Sequence, residues 1–224
     1  MKRSEINQLT RDAIRFFRNM NFKLPPWGYW SPEKWKENRA VCNEIFENRL
    51  GWDLTDFGLG DFSSTGLLLF TIRNGNLQRD SKPYAEKIMI VDEGQVTPMH
   101  FHWSKMEDII NRGGGNLMIE LYPSDESEEF DNREFEVSLD GIRRRLKPGD
   151  IVRLVPGESI TLYQGLYHKF YGEAGKGRVL VGEVSTVNDD HTDNRFYDQV
   201  GRFPDVIENE PPLHLLVGDY EKFK

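Results

Sequence analysis

"TPMHFHWSKMED", running from Thr97 to Asp108, places His100 and His102 two residues apart and Glu107 five beyond the second histidine. Residues two apart on a strand project from the same face, so the two imidazoles share a side. Glu107 follows Lys105 and comes within reach if the chain bends back after the strand. Imidazole with carboxylate suits zinc, iron, manganese or cobalt, and the softer thiolate option is absent. Two histidines on a solvated strand face have the same spacing, so the surrounding sequence has to decide between a metal and a polar surface.

Working outward, the chain from Leu67 onward has the texture of an antiparallel sandwich or barrel. Short apolar or alternating runs recur at Gly66–Gly75, Glu86–Gln95, Gly115–Pro123, Arg133–Gly141, Asp150–Gly165, His168–Glu173 and Gly177–Thr186, each punctuated by Gly, Pro, Asn or Asp. Upstream the pattern is helical. Ser4 is placed to cap, and Ile6, Leu9, Ala13, Ile14, Phe16 and Phe17 recur at helical spacing. The proline pair in "LPPWGYWSPEKW" (Leu24–Trp35) breaks that helix. A second starts at Ser31-Pro32 and is expected to run to about Leu50, with Gly51 as its stop. The expected organisation is a single domain over 1–224: a helical N-terminal extension over 1–60, a β-barrel over 61–190, and a C-terminal tail over 191–224 packing on the barrel.

The bulk properties exclude several function classes. A chain of 224 residues suits one sizeable domain. A net charge of -8 and a pI of about 5.2 argue against a nucleic-acid binder that tracks phosphates. The basic "IRRRLKPG" (Ile142–Gly149) follows the acidic "SDESEEFDNREFE" (Ser124–Glu136), and the two read together as a solvated, self-paired hairpin. The single cysteine, Cys42, forbids an internal disulfide and reads as a buried small hydrophobe. No apolar run approaches the ~20 residues of a membrane helix. The N-terminus carries charges where a signal peptide has its apolar core, so a cytoplasmic location is expected. Trp27, Tyr29 and Trp30 are read as packing the helical segment on the barrel.

The spacing around the histidines extends the case for a metal. Gly94, five residues, His100, one, His102, four, Glu107, six, Gly114 resembles the first motif of the cupin superfamily at every fixed position. Gly157, five residues, Tyr163, one, Gly165, two, His168 resembles the second motif, with Tyr163 in place of its proline and Gly172 in place of its closing asparagine. The resemblance implies a mainly-β cupin-type double-stranded β-helix, a jelly-roll barrel, with a metal held by His100, His102, Glu107 and His168. Three imidazoles and one carboxylate leave about two positions of an octahedral ion open, the mark of a catalytic site. His191 and His214, in the polar tail, are read as surface or supporting groups.

Five further stretches carry a closer resemblance: "MKRSEIN", "LPPWGYWSPEKW", "PMHFHWSKMEDIINRGGG", "YHKFYGE" and "GEVSTVNDDHTDNRFYD". Together they look like the D-lyxose isomerase family of sugar isomerases. That resemblance implies a manganese-dependent aldose–ketose isomerase acting on D-lyxose and D-xylulose, and also on D-mannose and D-fructose, and it implies a homodimer. Zinc, cobalt and iron are the alternative metals, and no organic cofactor is expected. The reaction chelates an open-chain sugar and passes through an enediolate, so it needs a base that moves a proton between neighbouring carbons.

Lys105, between two ligands, is a candidate electrostatic or proton-donating group. Glu183 interrupts the apolar run "VLVGEVS", where a carboxylate is costly to bury unless paired. Glu183 and Asp190 are the candidate bases, and Lys87, Asp193 and Arg195 are candidate substrate-binding residues. The competing readings are an iron(II) cupin dioxygenase, a non-catalytic sugar-binding cupin, and an isomerase of phosphorylated or nucleotide-linked sugars. The acidic chain offers few cations for the last.

Overall fold

The computed structural model describes residues 1–79, 81–189, 192–201 and 203–223. Its first helix, α1 (Arg3–Asn19), buries Ile6, Ala13, Ile14 and Phe17 on one face, as the spacing requires. The cap differs from the expectation: Lys2 is the N-cap, and the Glu5 carboxylate accepts its backbone N–H at 2.8 Å. The Ser4 N–H is instead donated to Asn209 Oδ1 at 3.0 Å, tying the helix start to the tail.

Helix α2 (Pro32–Asn38) starts as expected, with Ser31 accepting the Lys34 N–H, but it does not run to Leu50. A 3₁₀ turn at Arg39–Val41 interrupts it before α3 (Asn43–Glu47). Asn38 donates its side-chain amide to the Lys34 carbonyl at 2.8 Å, competing with the backbone bond that continues a helix. Beyond α3, Arg49 takes a positive φ of 54°. Gly51 then opens a strand, β1 (Gly51–Thr55), inside the stretch expected to be helical. Its Trp52 and Leu54 point the same way and are buried.

The expected mainly-β jelly roll is borne out. The remaining strands are β2 (Leu67–Arg73), β3 (Tyr84–Val91), β4 (Thr97–Phe101), β5 (Glu107–Gly114), β6 (Leu117–Pro123), β7 (Phe135–Leu139), β8 (Ile142–Leu146), β9 (Ile151–Leu154), β10 (Ser159–Leu162), β11 (Leu166–Gly172), β12 (Val179–Thr186) and β13 (Arg195–Phe196). They pair antiparallel in two sheets, β1-β2-β3-β12-β5-β10-β7-β8 and β13-β4-β11-β6-β9. The run Asp150–Gly165 splits at Pro156-Gly157, sending β9 to one sheet and β10 to the other.

Met89, Ile109, Ile119, Leu121, Phe170 and Val181 fill the space between the sheets. The outer face of β2–β3–β12 is apolar too. Phe70, Ile88, Ile90 and Leu180 pack there with Ile6, Ala13 and Phe17 of α1 and with Trp52. Ile88 and Ile90 therefore face the helix while Met89 and Val91 face the barrel, which explains why β3 is a near-continuous apolar run. Trp27 and Tyr29 join the helix-side cluster, and Trp27 lies 4.8 Å from the Phe70 ring. Cys42 is buried with Trp35, Phe46 and Tyr220.

The acidic and basic stretches are only partly self-paired. β7 and β8 form the hairpin, with Glu136 opposite Arg145. The acidic loop before it turns elsewhere: Glu128 accepts from Trp103 Nε1 at 2.7 Å and from Arg195 Nε at 3.0 Å. Among the described residues, no helix is long and apolar enough to cross a membrane.

Candidate metal centre

Two strands of the smaller sheet carry the histidines. His100 on β4 sits directly across from His168 on β11, and the ladder shifts register just beyond that pair. Such an irregularity re-aims side chains locally. His102 follows the end of β4, and Glu107 opens β5 in the other sheet. The turn between them therefore bridges the two sheets at one mouth of the barrel, and this bend is what brings Glu107 back to the histidines.

The ring nitrogens are sorted by their hydrogen bonds. Nδ1 of His100 lies 2.7 Å from the Pro98 carbonyl, Nδ1 of His102 2.7 Å from the Asp193 carbonyl, and Nδ1 of His168 3.0 Å from the Leu166 carbonyl. A carbonyl only accepts, so each Nδ1 carries the proton and each Nε2 presents a lone pair. One ligand atom from each of the three rings lies within 4.8 Å of the others. Nε2 of His102 and of His168 are buried without a hydrogen-bond partner. Glu107 Oε1 stands 3.1 Å from His168 Nε2 and 3.5 Å from His102 Nε2.

The protonation states match that arrangement. Burial, and after it the neighbouring His168 and His102, push His100 well below the usual imidazole range. Burial and then the Lys105 ammonium lower His102. At Glu107 burial acts to raise the carboxyl, but the Lys105 ammonium beside it holds it well below the usual carboxylate range. Imidazoles held at Nδ1 by backbone carbonyls and converging beside an ionised carboxylate are what a divalent cation requires of its ligands. The donor set fits such a cation.

A charge network adjoins the histidines. Lys105 Nζ lies 2.6 Å from Glu107 Oε2 and 3.0 Å from Glu183 Oε1. Lys87 Nζ lies 3.4 Å from the same Glu183 oxygen and donates to Asn188 Oδ1 at 2.7 Å. Glu183 on β12 and Lys87 on β3 are direct cross-strand partners. All four charged side chains are buried, and with the three histidines they line one cavity together with Thr97 and Phe196.

Of the residues singled out in the sequence, His100, His102, Glu107, His168, Lys105, Lys87 and Glu183 are thus brought together. Asp193 and Arg195 are not on that cavity. Asp193 gives its carboxylate to the backbone N–H groups of Ser104 and Lys105. Arg195 donates Nε to Glu128 Oε2 at 3.0 Å and so pairs with the acidic loop. Asp190 and His191 lie outside the described residues. His214 donates Nδ1 to the Trp30 carbonyl at 2.9 Å and belongs to the contact between tail and helical segment. Sequence reasoning passed over Asn188 and Thr97, although Thr97 sits in the same strand as His100 and three residues before it.

Comparisons with known proteins identify the family. The family model described as D-lyxose isomerase matches residues 1–220. A D-lyxose/D-mannose isomerase of Serratia proteamaculans is 49% identical over 226 residues, covering 100% of this chain and 99% of that protein. A D-lyxose/D-mannose isomerase of Escherichia coli O157:H7 is 48% identical over 227 residues, covering 100% of each. The chain belongs to the D-lyxose isomerase family. Membership makes it a sugar isomerase and decides against the dioxygenase and the non-catalytic sugar-binding readings. Among solved structures, the ligand-free L-ribose isomerase of Cellulomonas parahominis aligns with a TM-score of 0.62 at 18% identity, over 92% of this chain and 98% of that one. An L-ribose isomerase variant of Acinetobacter sp. DL28 in complex with L-ribose aligns with a TM-score of 0.60 at 16% identity, over 96% and 97%. At that identity the likeness establishes the shared β fold.

Proposed function

We propose that the protein interconverts D-lyxose and D-xylulose, and D-mannose and D-fructose, with one divalent cation, manganese, held by His100, His102, Glu107 and His168. The observation that carries this reading is the convergence of three Nε2 atoms, each fixed by a backbone acceptor at Nδ1, on a cavity that also holds the Lys105–Glu183–Lys87 network. The printed names of the Serratia and Escherichia relatives support the choice of sugars.

When bound, the cation supplies Lewis acidity at the carbonyl and hydroxyl oxygens of an open-chain sugar. The protein's own residues supply the proton transfers. Glu183 takes the proton from one of the two reacting carbons and returns it to the other, as one base on one face can. The Lys87 and Lys105 side chains beside it fix its orientation. Lys105, shared between Glu107 and Glu183, donates a hydrogen bond to the sugar oxygen on which charge develops. The buried setting keeps water from exchanging the proton in transit. Asp190 remains the second candidate base, and on this reading the chain works as a single domain within a cytoplasmic homodimer.

The test is a panel of free pentoses and hexoses, with metal content measured on the same protein. Manganese-loaded protein is expected to convert D-lyxose to D-xylulose and to lose activity with EDTA. Glu107→Ala is expected to lose both metal and turnover. A fully manganese-loaded protein that turns over none of the sugars refutes the reading.

A further inference from the structure

We propose that Asp193 is the positioning residue that clamps the turn between β4 and β5, and so sets Lys105 on its two carboxylates. This rests on the isomerase reading above and extends it to a residue that does not face the cavity. Asp193 Oδ1 accepts the Ser104 N–H at 2.8 Å and Oδ2 accepts the Lys105 N–H at 2.9 Å. The same residue's carbonyl accepts Nδ1–H of His102 at 2.7 Å. Its own N–H is donated to the Asp189 carbonyl at 3.0 Å, which anchors the clamp in the segment after β12. Asp193 is 8% exposed, so these are charge-assisted bonds in a largely dry setting.

The turn is also held from its other side. The Gly165 N–H is donated to the His102 carbonyl at 3.0 Å, and Gln164 Nε2 to the Ser104 carbonyl at 3.0 Å. Residues 102–105 are therefore gripped between the second motif and the tail, with Asp193 supplying the acceptors for two consecutive N–H groups. Backbone donors in such a place need acceptors, and without them the turn relaxes. Lys105 gives its N–H to Asp193 and its Nζ to Glu107 and Glu183, so movement of this backbone displaces the ammonium directly.

The two contacts of Asp193 are made by different groups, and this separates their effects. The His102 imidazole is oriented by the main-chain carbonyl, which a side-chain substitution keeps. The Lys105 backbone is held by the carboxylate, which a substitution removes. Asp193→Asn retains one acceptor oxygen and Asp193→Ala retains neither.

The experiment measures kcat, KM and manganese content of both variants, with amide hydrogen exchange on the metal-free proteins. The expected result is kcat down about 10-fold in Asn and about 100-fold in Ala, the range for residues that support a metal site from behind. KM and metal content are expected to stay within about threefold. In the metal-free Ala variant, Ser104 and Lys105 amides are expected to lose protection while Ile119 and Phe170 keep theirs. Unchanged kcat, metal loss in step with kcat, or a general loss of protection would each overturn the proposal. If the parent protein isomerises no sugar, the isomerase reading fails. The exchange measurement then decides the clamp alone: selective exposure of Ser104 and Lys105 supports it, and unaltered protection overturns it.

Discussion

Lys105 shows how much of the site one residue can carry. Its ammonium lies between Glu107 and Glu183, and all three side chains are buried. Lys105→Met keeps most of the volume and removes the charge. The fall expected in turnover is about 100-fold or more, the scale of a lost proton-transfer partner. Removing one partner of a buried ion pair costs about 3–5 kcal/mol, so metal-free protein should unfold at clearly lower urea concentration. Steady-state rates and urea melts check both, and a variant with neither effect would show the ammonium to be mere filling. The sequence made this residue and its partners legible because metal ligation and buried charge demand particular residue types at strand spacing. The partners of Asp193 and Arg195 were not legible because they are distant in the chain: Asp193 bonds to residues 88 and 89 positions away, and Arg195 to one 67 away. Local spacing carries no signal of such contacts.

At the level of elements, apolar runs of strand length are legible where a strand has seven or eight residues, as in β2, β3, β11 and β12. No such run marks β1, whose five residues directly follow a helical stretch. The end of the second helix was hidden for a different reason, since its break depends on how the Asn38 amide competes for a carbonyl. The two glycines that frame the histidine motif separate two reasons for requiring glycine. Gly94 has φ +67° and open space where a Cβ would stand. Gly114 has φ +87°, and a Cβ there would meet the Arg178 carbonyl at 2.2 Å. Gly94→Ala should therefore cost about 1–2 kcal/mol, the strain of a left-handed residue. Gly114→Ala adds a backbone clash beside β12 and should cost more. Urea midpoints of the two variants give the order directly, and the reverse order contradicts this account of the motif's ends.

Across the whole molecule, the two chain ends are tied together on the outside of the barrel. Arg3, 1% exposed, donates Nη2 to Glu208 and to Asp219 at 2.7 Å each. Met1 and Ile207 exchange a further backbone bond at 2.9 Å. The Arg3 guanidinium, helped by Lys222, holds the Glu208 carboxyl down at about 2 against burial that acts to raise it. In the unfolded chain a glutamate titrates near 4.3. The folded value is depressed, so the stabilisation is complete above about pH 5 and drains away as pH falls toward about 2. Glu208 is 43% exposed, so solvent screens the pair and the effect is modest. Melting temperature followed between about pH 7 and pH 3 should fall more steeply for the parent protein than for Glu208→Gln. The variant should melt lower at neutral pH and converge with the parent at the acid end. Parallel curves would mean that the Arg3–Glu208 pair does not hold the tail to α1, leaving Asp219 and the backbone bonds to close the chain.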